Sequence, residues 1–158
     1  MTRFEYVQFV PAALDEVWKF FSSPANLSKI TPPEMGFIIT SPQQPQMYPG
    51  MFITYKVSPV AGLNLNWVTE ITQISKMKFF IDEQRRGPYS IWHHEHHFKE
   101  VEGGVEMRDI LYYCVPFGFI GHIADKVFVK NRVQQIFSFR NQKINELFPS
   151  VIKDDNQV

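Results

Sequence analysis

Two hydrophobic periods run along the chain, and the change between them marks out its elements. "FEYVQFV" (4–10) has the aromatic and β-branched character of a strand and stops at Pro11. "AALDEVWKFFSS" (12–23) follows with helical spacing, placing Leu14, Val17, Trp18 and Phe21 on one apolar stripe that ends before Pro24. "NLSKITPPEM" (26–35) reads as a short helix or turn closed by Pro32–Pro33, and a proline-rich loop (41–50) leads into further β segments. These are 51–57, 63–72, 78–84, 89–101 and 105–115, with turns at Gly87–Pro88 and Gly103–Gly104, a spacing that predicts an antiparallel meander. After Pro116 the period becomes helical. Residues 119–148 would form a helix about 45 Å long, with Ile120, Ile123, Val127, Val133, Phe137, Ile144 and Leu147 as an interrupted apolar stripe.

This order, a strand, a helix, a long antiparallel sheet and a long last helix, predicts an α+β fold. A strongly curved sheet cannot bury its concave face alone, and the last helix is long enough to fill it. The space between them is either packed solid or left as an internal cavity. Residues 1–148 are expected to form a single domain and 149–158 a flexible tail.

Composition narrows the function classes. Aromatics make up 15% of the 158 residues, with 15 phenylalanines, which favours a core or pocket of large flat side chains. Sixteen basic residues balance sixteen acidic ones, so there is no electrostatic case for nucleic acid or an anionic membrane. No stretch has the apolar length of a membrane span, and a lone cysteine, Cys114, fits a reducing compartment. A cytoplasmic protein is expected, with Cys114 as a buried structural thiol and Trp18 as core.

The chemistry concentrates in "WHHEHHF" (92–98). Alternation in a strand puts Trp92, His94, His96 and Phe98 on one face and His93 and His97 on the other. The aromatic-flanked set is expected to face inward, and His93 and His97 solvent. If the following turn is the tight Glu102–Gly103 pair, Val101 faces Gly104, and the register sets Phe98 against Met107, His96 against Asp109, His94 against Leu111 and Trp92 against Tyr113. Lys99 then opposes Glu106 on the outer face, a favourable pair. The register predicts a buried or half-buried His96–Asp109 pair. Other inward candidates are Trp67 beside Thr69, Phe80 with Asp82 and Gln84 in "FIDEQ", and Arg140, which could reach Asp82 or Asp109 from the last helix. Three readings of His94, His96 and Asp109 stay open: a satisfied polar patch, a ligand anchor in an apolar pocket, and a two-histidine, one-carboxylate metal triad. No activated serine or cysteine and no phosphate loop is visible, and no cofactor is expected.

"EVWKFFSSPANLSKITPP" (16–33), "WVTEI" (67–71), "FIDEQRRGPYSIWHHEHHF" (80–98) and "IFSFRNQKINELF" (136–148) together resemble the START-related helix-grip superfamily, often called SRPBCC. More narrowly they are similar to its bacterial ligand-binding branch, some members of which are labelled cell-division inhibitors. The resemblance implies a helix-grip fold with an internal, mostly apolar cavity. The expected function is non-catalytic binding of an apolar or aromatic small molecule. Trp92, Phe98, Met107, Leu111 and Tyr113 would form its walls, and His94, His96 and Asp109 its polar anchor. Two alternatives stand beside it: a cyclase- or dehydratase-like enzyme using a His–Asp acid–base pair, and a regulatory protein-interaction module, whose exposed apolar patch residues 112–122 could supply.

Overall fold

A computed structural model describes residues 1–42, 44–60 and 63–149. Seven strands form one antiparallel sheet: β1 (Thr2–Val10), β2 (Ile38–Ile39), β3 (Met51–Val60), β4 (Leu63–Ser75), β5 (Phe79–Arg86), β6 (Ile91–Val101) and β7 (Gly104–Cys114). The spatial order is β1-β7-β6-β5-β4-β3-β2, so the first strand closes against the last. Helix α1 (Leu14–Phe21) is followed by two 3₁₀ turns at Pro24–Ile30 and Pro33–Met35, in the region expected as a short helix or turn. A helical stretch from Gly118 to Leu147 completes the helix-grip fold as α2 (Gly118–Ala124), a π-helical turn (Asp125–Val129) and α3 (Lys130–Leu147). The expected tail lies outside the described residues from Ser150 onward.

The β6–β7 register is the one the turn residues predict. Val101 faces Gly104, Phe98 faces Met107, His96 faces Asp109, His94 faces Leu111, Trp92 faces Tyr113 and Lys99 faces Glu106. Gly103 adopts φ 79°, a conformation that costs glycine little and fixes this tight turn. The sheet's bend has a local cause in β4 and β5. Their pairing skips one residue on each strand, between Val68 and Thr69 and again between Ile71 and Gln73, and each such bulge increases bend and twist. The two-residue β2 had no sequence signal, because two residues carry no period.

Two covers share the concave face. Helix α1 lies over one end, where Val17, Trp18 and Phe21 pack with Phe98, Val105, Met107, Ile144 and Phe148. Trp18 meets Phe98 edge-on at 5.5 Å, as its core assignment expected. Helix α3 covers the other end, where Val133 and Phe137 pack with Leu111 and Tyr113. Phe137 also meets Phe4 of β1 at 4.9 Å.

The predicted apolar stripe on the last helix splits at the π-helical turn. Val133, Phe137 and Ile144 are buried, whereas Ile120 is 73% exposed and Ile123 and Val127 are also exposed; Leu147, the last residue of α3, is exposed as well. A π turn adds a residue to the helical repeat, so the positions before it rotate off the face that continues after it. The rotation brings Asp125 inward, where it is buried and accepts a hydrogen bond from Thr2 Oγ1 at 2.6 Å. Phe117 and Phe119 are exposed next to Ile120, forming an apolar run near the start of the helix. No helix among the described residues is long and apolar enough to cross a membrane. Cys114 is half-buried at the end of β7, where the strand leaves the core, rather than fully buried as expected.

This division of the helix has a measurable consequence. Ile144→Ala is expected to cost about 2–5 kcal/mol, whereas Ile120→Ala should stay within about 0.5 kcal/mol. Urea unfolding of both variants checks it, and equal losses would mean that Ile120 packs like a core residue.

Candidate functional site

Between the two covers the concave face stays open. A cavity of ≈ 160 Å³ lies over β3–β6, closed by α3 and by the 20–31 segment. Its walls are apolar and aromatic: Trp67 and Trp92 meet edge-on at 5.2 Å, and Tyr55 stacks on Trp67 at 5.8 Å. Thr69 holds that corner together, accepting from Trp67 Nε1 at 3.1 Å and sharing a 2.9 Å hydrogen bond with the Tyr55 hydroxyl. Burial, opposed by the Thr69 bond and supported by the Asp82 charge, pushes the Tyr55 phenol far above its ordinary value, so it stays neutral.

The polar end of the cavity is built by register. Asp82 of β5 stands opposite His94 of β6, and His96 stands opposite Asp109 of β7. Alternation turns all four side chains inward. Asp109 is 2% exposed, His96 4% and His94 6%. The expected His96–Asp109 pair forms, with Nδ1 2.7 Å from Oδ1, but it is shared. His96 Nδ1 makes no well-aligned hydrogen bond there; its Nε2 instead bonds Asp82 Oδ2 at 2.9 Å, and Asp109 Oδ1 bonds His94 Nε2 at 3.1 Å. Arg140 of α3 places Nη1 3.6 Å from the same Asp109 oxygen, its guanidinium lying over Phe21 and Phe137. Phe80 stacks on His96 at 4.2 Å and fixes the ring's plane.

Burial opposes charge on each member, so the charges that persist are the partnered ones. Burial is the largest single influence on Asp109, yet Arg140 and the hydrogen bonds from His94 and His96 together outweigh it and hold the carboxyl well below its ordinary 3.8. Asp82 is also desolvated, and its bond to His96 with the charges of His94, His96 and Arg140 keeps it below 3.8. The histidines diverge. Burial draws His96 down, but its contacts with Asp109 and Asp82 reverse this and raise it above 6.5. Burial and the adjacent His96 lower His94 below 6.5, against the pull of Asp109 and Asp82. Both carboxyls are held in the carboxylate form beside the Arg140 guanidinium, and of the two rings His96 takes a proton more readily and His94 less. His94 Nε2–H then donates to Asp109, and its Nδ1 lone pair faces Asp82 Oδ2 at 3.7 Å.

Seven of the sequence candidates come together at the cavity: Trp67, Phe80, Asp82, Trp92, His94, His96 and Arg140. The others do not line it, because the covers fill their part of the concave face. Phe98 and Met107 are packed beneath α1, and Leu111 and Tyr113 against α3. Asp109 lies behind the histidines rather than on the cavity wall, so the carboxylate that meets both imidazoles on the cavity side is Asp82. Gln84 turns to the β5–β6 connection, donating to Tyr89 O at 2.6 Å and accepting from Tyr89 N–H at 3.3 Å. His93 and His97 lie on the outer face, each beside Glu95, and His93 also beside Glu83. Tyr55 and the 20–31 segment were missed. The alternation in "MFITYKV" does put Tyr55 on the face of Ile53, but a loop folding over the cavity leaves no periodic trace.

The pH dependence follows from these shifts. A histidine raised above its unfolded value contributes stability that is complete below pH 6.5 and lost as pH rises through its folded pKa; His96 is that case. His94 acts oppositely, withdrawing stability as pH falls below 6.5. Asp82 and Asp109 contribute stability present above 3.8 and lost as pH falls through their folded values. In an NMR titration His96 should therefore titrate above pH 6.5 and His94 below it. A common midpoint would mean that the two rings share the proton equally.

No known family profile matches the chain, and no curated protein matches it. Solved structures do resemble it. Protein Ms6760 from Mycobacterium smegmatis shares 18% identity at a TM-score of 0.67, covering 92% of this chain and 89% of that one. A protein from Arthrobacter aurescens aligns at a TM-score of 0.70 with 12% identity over 99% of this chain and 93% of its own. Ara h 8.0201 aligns at 0.59 with 14% identity over 92% and 98%. At these identities the likeness carries architecture alone: the chain shares with them an antiparallel sheet closed on a C-terminal helix, of the helix-grip type.

Proposed function

We propose that this chain is a carrier or sensor of the SRPBCC kind, holding one small aromatic molecule in the cavity between α3 and the 20–31 segment. A cytoplasmic location and membership of the bacterial ligand-binding branch belong to the same proposal. The observation that supports it is an aromatic cavity of ≈ 160 Å³ that ends in a charged cluster. The size selects among ligands. A cavity of about 150 Å³ accommodates benzene, whereas drug-sized ligand pockets run from roughly 300 to 1,000 Å³. One ring or two fused rings suit this volume; a diacyl lipid does not. Trp67, Trp92 and Tyr55 would hold the ring body, and the Asp82–His94–His96 end would bind a polar oxygen.

The lowered pKa of His94 supports a second reading. A base needs an available lone pair; with Nε2–H given to Asp109, the unprotonated His94 ring has one at Nδ1, whereas His96 takes a proton more readily. Acid–base chemistry on the bound molecule would therefore use His94 as base and His96 as acid.

Calorimetric titration with 2-naphthol tests the binding reading. His96→Ala should weaken binding by about tenfold or more, the scale of one buried hydrogen bond, while His93→Ala on the outer face should change it less than about twofold. Equal effects would overturn the cavity as the binding site. Conversion of 3-hydroxy-1-tetralone to 1-naphthol, by loss of the C2 proton and the C3 hydroxyl as one water, would favour the acid–base reading over simple carriage.

A further inference from the structure

The charged end of the cavity has a feature that simple ligand anchoring does not need. Asp82, His94 and His96 each offer one ligand atom at the cavity, and these three atoms lie within 4.8 Å of one another. Asp82 Oδ2 stands 2.9 Å from His96 Nε2 and 3.7 Å from His94 Nδ1. Donors about 2.0–2.2 Å from a shared ion stand roughly 3–3.4 Å apart, so these gaps bracket the spacing an ion requires.

The second feature is on the far side of the rings. The nitrogens that do not face Asp82, His94 Nε2 and His96 Nδ1, lie 3.1 and 2.7 Å from a single oxygen, Oδ1 of Asp109. Imidazoles that bind metals characteristically give their other nitrogen to a carboxylate, which sets the tautomer and aims the free lone pair at the ion. Asp109 bonds His94 Nε2 in this way and stands beside His96 Nδ1 at 2.7 Å without a well-aligned bond. Arg140 contacts Asp109, and Phe80 stacks on His96, so the arrangement is held from three sides before any ion arrives.

We propose that Asp82, His94 and His96 form a binding site for a divalent first-row transition-metal ion, with the ion's remaining positions open to the cavity. Two imidazole nitrogens and one carboxylate oxygen suit the Fe²⁺ to Zn²⁺ range better than Mg²⁺ or Ca²⁺, which prefer oxygen ligands. The proposal rests on the aromatic-ligand reading for what fills those open positions, and it names that ligand's polar group. With the ion in place, two carboxylates, Arg140 and two neutral imidazoles leave one net positive charge. An ionised oxygen on the aromatic ligand, a carboxylate, phenolate or enolate, neutralises it.

The test is a Co²⁺ titration of protein dialysed against chelator and then freed of it, followed by calorimetry and by the visible absorption of Co²⁺. One ion per chain is expected. A His93→Gln/His97→Gln variant removes the outer-face histidines and should bind equally well, whereas Asp82→Asn and His94→Gln should each weaken binding at least tenfold. Asp109→Asn should weaken it about 10–100-fold as a positioning residue, with circular dichroism reporting whether that variant folds; Asp82→Asn, at the cavity surface, keeps the test valid if it does not. Absence of Co²⁺ uptake would overturn the proposal, as would uptake lost in the outer-face variant but kept in Asp82→Asn. A parallel 2-naphthol titration in excess chelator separates the two claims. Naphthol binding without Co²⁺ uptake overturns the metal site and leaves the aromatic cavity standing; Co²⁺ uptake without naphthol binding supports the metal site and overturns the aromatic one.

Discussion

A single buried carboxylate organises the centre of this protein. Asp109 has almost no solvent, and an isolated ion there would cost several kcal/mol. Its charge persists because β6 brings two imidazoles to one of its oxygens and α3 brings Arg140. Each of those groups is in turn constrained by serving it. His94 must present Nε2, His96 must present Nδ1, and α3 must lie close enough over the sheet for Arg140 to reach. The position of the last helix and the orientation of both rings are thus tied to one residue on β7.

The cavity is a consequence of incomplete coverage. Helix α1 seals one end of the concave face with Trp18 and Phe21, and α3 seals the other with Val133 and Phe137. Neither packs down onto the middle of β3–β6, so a cavity remains between the aromatic side chains there and the helix residues that close it. The charged cluster sits where that space meets the α3 cover. Burial strengthens every interaction within it, because a low-dielectric wall screens poorly. Burial lowers both histidines, only two positions apart in the chain, and their partners separate them: Asp109 and Asp82 raise His96, while the adjacent His96 lowers His94 further.

The π-helical turn solves a related problem at the other end of α3. It lets Asp125 turn inward to Thr2 while α3 keeps Val133, Phe137 and Ile144 on the sheet. The result is that Ile120, Ile123 and Val127 stay outside, beside Phe117 and Phe119. One apolar stripe in the sequence therefore serves two surfaces, and a single added residue in the helical repeat decides where one ends and the other begins.

Local chemistry was enough to determine the strands, the first helix and the β6–β7 register. Side-chain alternation has a period of two, and a glycine at positive φ pins the tight turn, so Phe98–Met107 and His96–Asp109 follow from neighbouring residues alone. The inward face of "WHHEHHF" was legible for the same reason. Tertiary structure decided what that face meets. The convergence of Asp82 on the histidines depends on the β5–β6 register, set across a longer connection, and the bend of the sheet comes from bulges in β4 and β5 with no periodic signal. Whether Leu111 and Tyr113 line a cavity or a packed core depends on where α3 comes to rest, a contact between residues far apart in the chain. Periodicity reports which way a side chain points; only the assembled covers determine whether it points at another residue or at open space.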